Sequence, residues 1–158
     1  MEKEVIIKPA TTQIIDFRIV QRGTTVESIN KLNQVFHFID LSYAKVDIFY
    51  QGWIGYRSNE QMKRVLEGHF MKLYQQNHCR KMLIENSRMS GSFSDINNWF
   101  AMEFMPRLFK MGLKHIAVVL PQNIFAQLAV KDWSDKLKGF NNGNFESLSE
   151  ALNWLALL

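Results

Sequence analysis

The sequence predicts an α/β fold: a mixed, mainly parallel central sheet with helices packed on it, plus an N-terminal extension. Three observations carry this. An apolar run at Met82–Ile84 is followed by a Ser/Gly loop, a helical pattern and a second apolar run at Ile116–Leu120. Strand, crossover helix and strand in that order give parallel pairing. Neither run alternates polar with apolar, so both belong inside a sheet covered on two faces.

Residues 1–34 form the extension, read as edge strands or a dimer arm ahead of an α/β domain at 35–158. Val5–Ile7 and Ile14–Val20 are strand-like runs punctuated by Pro9 and Gly23. Val26, Ile29 and Leu32 have a weak helical spacing. Val35–Asp40 and Lys45–Trp53 read as a hairpin with Ser42 and Tyr43 near the turn. Ser58-Asn-Glu-Gln61 matches a capping box, in which the serine hydroxyl and the glutamine side chain each satisfy a backbone N–H. Met62, Val65, Leu66, His69, Phe70, Leu73 and Tyr74 then mark the buried stripe of a helix, with Gly68 weakening it.

After the strand at 81–86, Ser92 or Ser94 is expected to cap the next helix, with Asp95 favourably placed in its first turn. Ile96, Trp99, Phe100, Phe104, Leu108 and Met111 line one side of it. Pro106 removes a donor and clashes with the preceding turn, so a kink or break is expected near Met102–Pro106. Gly112 ends the helix. After the strand at 115–120, Asn123 caps a short helix through Ile124, Phe125, Leu128 and Ala129, with a bend expected near Lys131 where the stripe shifts to Val130, Trp133 and Leu137. A short final strand falls near 140–145, with turn chemistry at Asn142-Gly143. Ser147-Leu-Ser-Glu150 opens the last helix, whose buried face is Leu148, Ala151, Leu152 and Leu155.

The length of 158 residues suits one domain with its own core. A net charge of +4 is spread along the chain rather than clustered, so nucleic-acid binding is not expected. The single cysteine, Cys79, excludes an intramolecular disulfide, and no CxxC or Cys/His metal spacing occurs. His37, His69, His78 and His115 lie on separate elements without ligand spacing, and the first two read as packed side chains. No metal and no cofactor is expected. The charged start Met-Glu-Lys-Glu-Val lacks an apolar signal segment, and no stretch of 18 apolar residues occurs. A cytoplasmic protein without membrane insertion follows as the expectation.

From Val35 onward the order of elements resembles the STAS family, the fold of anti-sigma-factor antagonists, and more closely its small stand-alone bacterial members. The residues that carry the likeness are Trp53-Ile-Gly55-Tyr56, Glu85-Asn86, Trp99, Phe104-Met-Pro106-Arg107, Gly112-Leu-Lys114, Ala117-Val-Val-Leu-Pro121 and the closing stretch from Phe145 to Trp154. The resemblance implies a regulatory, non-catalytic module. It also implies a binding surface in the loop that follows the central strand. The family's phosphorylatable Asp-Ser-Ser/Thr-Gly pattern is absent from that loop, which reads Arg88-Met-Ser-Gly-Ser-Phe-Ser-Asp95.

No nucleophile–base pair, P-loop or dinucleotide fingerprint appears, so no catalytic residue is named. Two readings remain. In the first, a regulatory protein binds through loop 86–95, using Tyr56, Glu85, Asn86, Arg88, Ser90, Ser92, Ser94 and Asp95, since ligands of open parallel sheets sit beyond the strand carboxyl ends. In the second, the chain carries or senses an apolar or anionic small molecule in a pocket lined by Trp53, Trp99, Phe100 and Phe104. The N-terminal extension and the hydrophobic content of 47% lead to the expectation of a homodimer.

Overall fold

The computed structural model describes residues 4–7 and 16–158; Pro9, Ile14 and Ile15 lie outside the described residues. Among the described residues, eight strands form one sheet in the order in which they occur along the chain. They are β1 (Glu4–Ile7), β2 (Phe17–Arg22), β3 (Thr25–Asn30), β4 (Val35–Asp40), β5 (Ile48–Gly55), β6 (Lys81–Met89), β7 (His115–Val119) and β8 (Asn141–Phe145). β1 to β5 pair antiparallel. β5 to β8 pair parallel. The α/β class holds, but the sheet is not mainly parallel: the antiparallel half is the larger. The extension causes this, because β1 to β3 continue the sheet beyond β4 instead of decorating it.

The expected helical spacing at Thr25–Leu32 is a strand. Val26 and Ile29 are both buried, yet in β3 they fall on opposite faces, Val26 opposite Gln21 and Ile29 opposite Arg18. A strand buried on both faces leaves apolar residues three apart, which imitates a helix. The β4–β5 connection is also shorter in strand than expected. Asp40 accepts from the Ser42 backbone N–H at 3.0 Å and caps a 3-10 turn at Leu41–Val46, so β5 begins only at Ile48.

Parallel strands need crossovers. The first is helix α1 (Asn59–Val65), a π turn at Leu66–Phe70 and helix α2 (Met71–Asn77). Ser58 and Gln61 form the expected capping box. Gly68, at φ −94° and ψ −115°, interrupts the helix, and open space surrounds its missing side chain, so it kinks the chain instead of allowing close packing. The second crossover is α3 (Asn97–Trp99), a π turn at Phe100–Phe104 and α4 (Met105–Lys110). The break expected before Pro106 takes the form of this π turn. It leaves Pro106 in the first turn of α4, where an absent N–H leaves no gap. Neither Ser92 nor Ser94 caps α3: the Ser92 hydroxyl accepts from the Ser94 N–H at 3.1 Å and shapes a 3-10 turn at Ser94–Ile96.

The third crossover, α5 (Ile124–Lys136), is continuous, without the bend expected at Lys131. Asn123 caps it. Its buried stripe is Ala126, Ala129, Val130 and Trp133, while Ile124, Phe125 and Leu128 are exposed. The apparent shift of stripe came from counting those three as buried. The Asn142-Gly143 pair lies inside β8, held by parallel pairing with Ile116 and Ala117 rather than forming a turn. The last helix, α6 (Leu148–Ala156), is capped by Ser147.

The alternation of β6 and β7 divides the interior. Met82, Ile84, Ile116 and Val118 face the large cluster with Met62, Val65, Phe70, Phe104, Val130 and Trp133. Leu83, Ala117 and Val119 face a smaller cluster closed by Ala151 and Leu155 of α6. The three crossovers therefore share one face, as right-handed connections between strands in sequential order require, and α6 covers the other. Phe17, Ile19 and Val26 join the large cluster too. Leu83 is completely buried against α6. Leu83→Ala is expected to cost about 2–4 kcal/mol, from lost methyl burial plus a cavity, as read by denaturant melting.

Candidate functional site

The site grows from the end of β6. The β5–β6 ladder shifts register between Gly52–Glu85 and Ile54–Arg88, leaving one extra residue on β6. This bulge re-aims the side chains beyond it. Asn86 and Met89, three apart, both point to the crossover face, and Arg88 is turned out to solvent. Gly52 makes the close approach possible: a Cβ there would lie 2.4 Å from the Glu85 carbonyl oxygen and 2.5 Å from the Phe38 ring.

Between this part of the sheet and the crossover helices lies a cavity. The space open to the centre of a water-sized sphere is about 40 Å³, room for about three waters or a short apolar group. β5 contributes Gln51 and Trp53, and β6 contributes Met82, Ile84, Asn86 and Met89. Leu66 and Phe70 come from the first π turn, Phe100 and Phe104 from the second, Val130 and Trp133 from α5. Both π turns thus present their side chains to one space. The wall is apolar apart from two amides, Gln51 and Asn86. Asn86 Oδ1 is buried and has no hydrogen-bond partner among the described residues.

Gln51 connects the cavity to a buried polar chain. Its Oε1 lies 2.8 Å from His37 Nε2, and its Nε2 donates to Met82 Sδ at 3.5 Å. The His37 ring lies 4.2 Å from that of Trp53 and 6.2 Å from that of His69. His69, from the π turn, reaches Ser28 Oγ through Nε2 at 3.4 Å. Both Nδ1 atoms are unpartnered. Burial lowers the His37 pKa from 6.5 to about 3, with a further push from His69, against the Gln51 hydrogen bond. Burial alone lowers that of His69 to about 4.

At the strand ends, Gly55 and Gly91 both take positive φ and bring two loops together. The Ser90 N–H donates to Gly55 O at 3.0 Å. Arg57 lies beneath this junction, 1% exposed. Its Nη1 donates to Ser90 O at 2.8 Å, and Cζ sits 5.6 Å from the Phe93 ring centre. Among the described residues, Nε and Nη2 have no hydrogen-bond partner. Burial pulls its pKa down to about 10, so the guanidinium remains charged at neutral pH.

The residues expected to form a site do not meet in one place. Asn86, Trp53, Phe100 and Phe104 meet in the cavity. Trp99 does not line it: it stacks on Phe104 and carries Lys63 Nζ 4.9 Å from its ring centre. Tyr56 is exposed, its ring against Gly91, and Ser90 is joined to Gly55 and Arg57 through its backbone. Arg88 is exposed at the end of β6, which runs on to Met89 past the strand end expected at 86, and Ser92, Ser94 and Asp95 are exposed beyond it. Glu85 is on neither surface; its Oε1 accepts from the Ser87 N–H at 2.8 Å, and it lies near Tyr50, whose pKa burial and this carboxylate push up to about 12.

Arg57, Gln51 and the His37–His69 pairing were missed. No local pattern marks Arg57 as buried; Tyr56 beside it takes the exposed position. His37 and His69 are 32 positions apart in the chain, and only the sheet order together with the π turn brings them close. Cys79 is buried, and burial raises its pKa to about 11, so it is an inert thiol at neutral pH. Among the described residues, no group of three or more His, Cys, Asp or Glu side chains is placed to hold a metal ion. Among them, too, no helix is long and apolar enough to cross a membrane.

Comparison of the chain with protein-family models, curated proteins and solved structures finds no match.

The two buried histidines make stability pH-dependent. Their folded pKa values lie below 6.5, so between pH 6.5 and about 4 the unfolded chain holds more protons. Stability is whole above that window and falls with pH inside it, by about 1.4 kcal/mol per pH unit for each histidine. Denaturant melts across the window are expected to show this slope, and His69→Gln to remove about one histidine's share of it.

Proposed function

We propose that the chain is a non-catalytic, STAS-like ligand-binding module, a carrier or sensor that takes a small apolar group between its sheet and its crossover helices. The observation that supports this is the cavity at the β6 bulge. Well-packed interiors leave few voids larger than a water molecule. Here the void is lined by aromatic and sulfur-containing side chains, is bordered by two amides, and lies where two helices depart together from α-helical winding. π turns of this kind occur often at functional sites. An apolar group entering the space gains contacts that the lining side chains lack, and the amides fix its orientation.

The test uses a neutral apolar probe and a variant that removes the space. Xenon, an apolar atom small enough for the space, is expected to bind saturably as read by xenon NMR. Val118→Ile with Val130→Ile adds two methyl groups to the wall and is expected to abolish that response while the protein stays folded by circular dichroism. A wild-type protein with no saturable response to xenon would count against the reading.

A second reading, partner binding through residues 86–95, is favoured by the exposure of Arg88 at the end of β6 and of Ser92, Ser94 and Asp95 beyond it, with exposed Tyr56 on the adjoining β5–α1 connection. Tyr56→Ala with Arg88→Ala is then expected to leave the melting temperature within about 1 °C, since surface changes cost little, and to lose any regulatory protein that co-purifies with the wild type. Retention of that protein by the double variant would place its docking surface elsewhere.

A further inference from the structure

We propose that the open edge of β8 is a docking surface for a second copy of this chain, paired antiparallel about a twofold axis at Gly143, so that two sheets continue as one.

The backbone of β8 points two residues out of the fold. β8 pairs with β7 in parallel; the Asn141 N–H donates to Lys114 O at 2.9 Å, and Phe145 O accepts from the Leu120 N–H at 2.8 Å. In a parallel ladder alternate residues bond to the same neighbour. Asn141, Gly143 and Phe145 therefore bond to β7, and the N–H and C=O groups of Asn142 and Asn144 face away from it. Among the described residues no strand lies beyond β8. Edge strands are ordinarily blunted by a charge, a proline or a bulge. β8, Asn-Asn-Gly-Asn-Phe, has none of these and pairs without a register shift.

Self-complementarity selects the occupant. A twofold contact places the same residues on both sides. With Gly143 opposite itself, Asn142 lies opposite Asn144 of the second copy, and the two exchange backbone hydrogen bonds through groups that already point outward. Their side chains share one face of the sheet, so amide meets amide. On the other face, a Cβ on Gly143 would lie 3.0 Å from the Phe145 ring and 3.6 Å from that of Trp154. These half-buried rings, with centres 5.3 Å apart, cover the middle of the strand. An axis at Gly143 brings the two ring pairs toward each other and gives the contact an apolar centre.

Charge fixes the direction. Exposed Lys138 precedes β8 and exposed Glu146 follows it. Antiparallel pairing sets Lys138 of each copy toward Glu146 of the other, whereas parallel pairing sets like charges together. An unrelated extended segment carries no such match.

The test is sedimentation velocity of the full chain from low to high micromolar concentration. Association to twice the 18.5 kDa chain mass is expected. Asn144→Pro removes an outward donor and no bond to β7, and is expected to weaken association about 10-fold or more. Asn142→Lys with Asn144→Lys sets like charges opposite each other and is expected to do the same, with the fold retained by circular dichroism. Lys138→Glu is expected to weaken association about 3- to 10-fold, and adding Glu146→Lys to restore it. Register is read by oxidation. Asn142→Cys chains mixed with Asn144→Cys chains, with Cα atoms about 5.5 Å apart across the axis, are expected to cross-link, and either variant alone is not. A chain that stays monomeric would overturn the proposal. So would association that survives both edge variants, which would place the contact elsewhere, β1 included. Cross-links formed as readily by either cysteine variant alone would overturn the axis at Gly143.

Discussion

The burial of β6 on both faces is the constraint on which the rest of the molecule depends. A strand in that position needs apolar side chains at successive residues and covering elements on each side. Met82 and Ile84 meet the crossover helices, and Leu83 between them meets α6. The same strand pairs in parallel on both edges. Its carboxyl end is where its ladder with β5 becomes irregular, and the bulge there turns Met89 inward and Arg88 outward. The position of the cavity and of the loops above it follows from where β6 stops being regular.

Much of this could be read in the sequence because it is local. The Ser58–Gln61 box, the Asn123 and Ser147 caps, the apolar runs of β6 and β7 and the interruption before Pro106 each depend on a few adjacent residues, and each is present. What was misread depends on distant neighbours. β3 imitates a helix because both its faces are covered. Ile124, Phe125 and Leu128 imitate a buried stripe that the fold turns to solvent. The parallel share of the sheet was overestimated because nothing local in residues 16–34 says that they continue the same sheet. At the site, the aromatic residues could be named from the sequence, since Trp53, Phe100 and Phe104 do line the cavity. The burial of Arg57 could not, because it is produced by Gly55 and Gly91 drawing two loops over it.

The two faces of the sheet differ in how completely they are satisfied. The α6 side is a small apolar cluster in which every buried side chain is aliphatic. The crossover side holds His37, Gln51, His69 and Asn86, and Arg57 is buried at its end; all but Gln51 keep at least one unpartnered polar atom. Buried polar groups are ordinarily paired, since leaving one unmatched costs the full loss of its hydration. The α6 cluster is thus wholly apolar, whereas the crossover side combines the larger apolar core with polar groups that keep an unpartnered atom among the described residues.

The sequential strand order also bears on how the chain assembles. Each strand lies beside the strands that precede and follow it in the chain, so no pairing waits for a segment made much later. The antiparallel meander from β2 to β5 closes through short connections, and each parallel strand after it needs only one crossover to dock. A chain emerging from its N-terminus can extend the sheet at a single growing edge, adding one strand-and-helix unit at a time. The unit of β8 with α6 completes the second face, so Leu83 and Ala117 remain uncovered until residues 148–156 arrive. Truncation near the C-terminus would therefore act late in folding and expose the central strands.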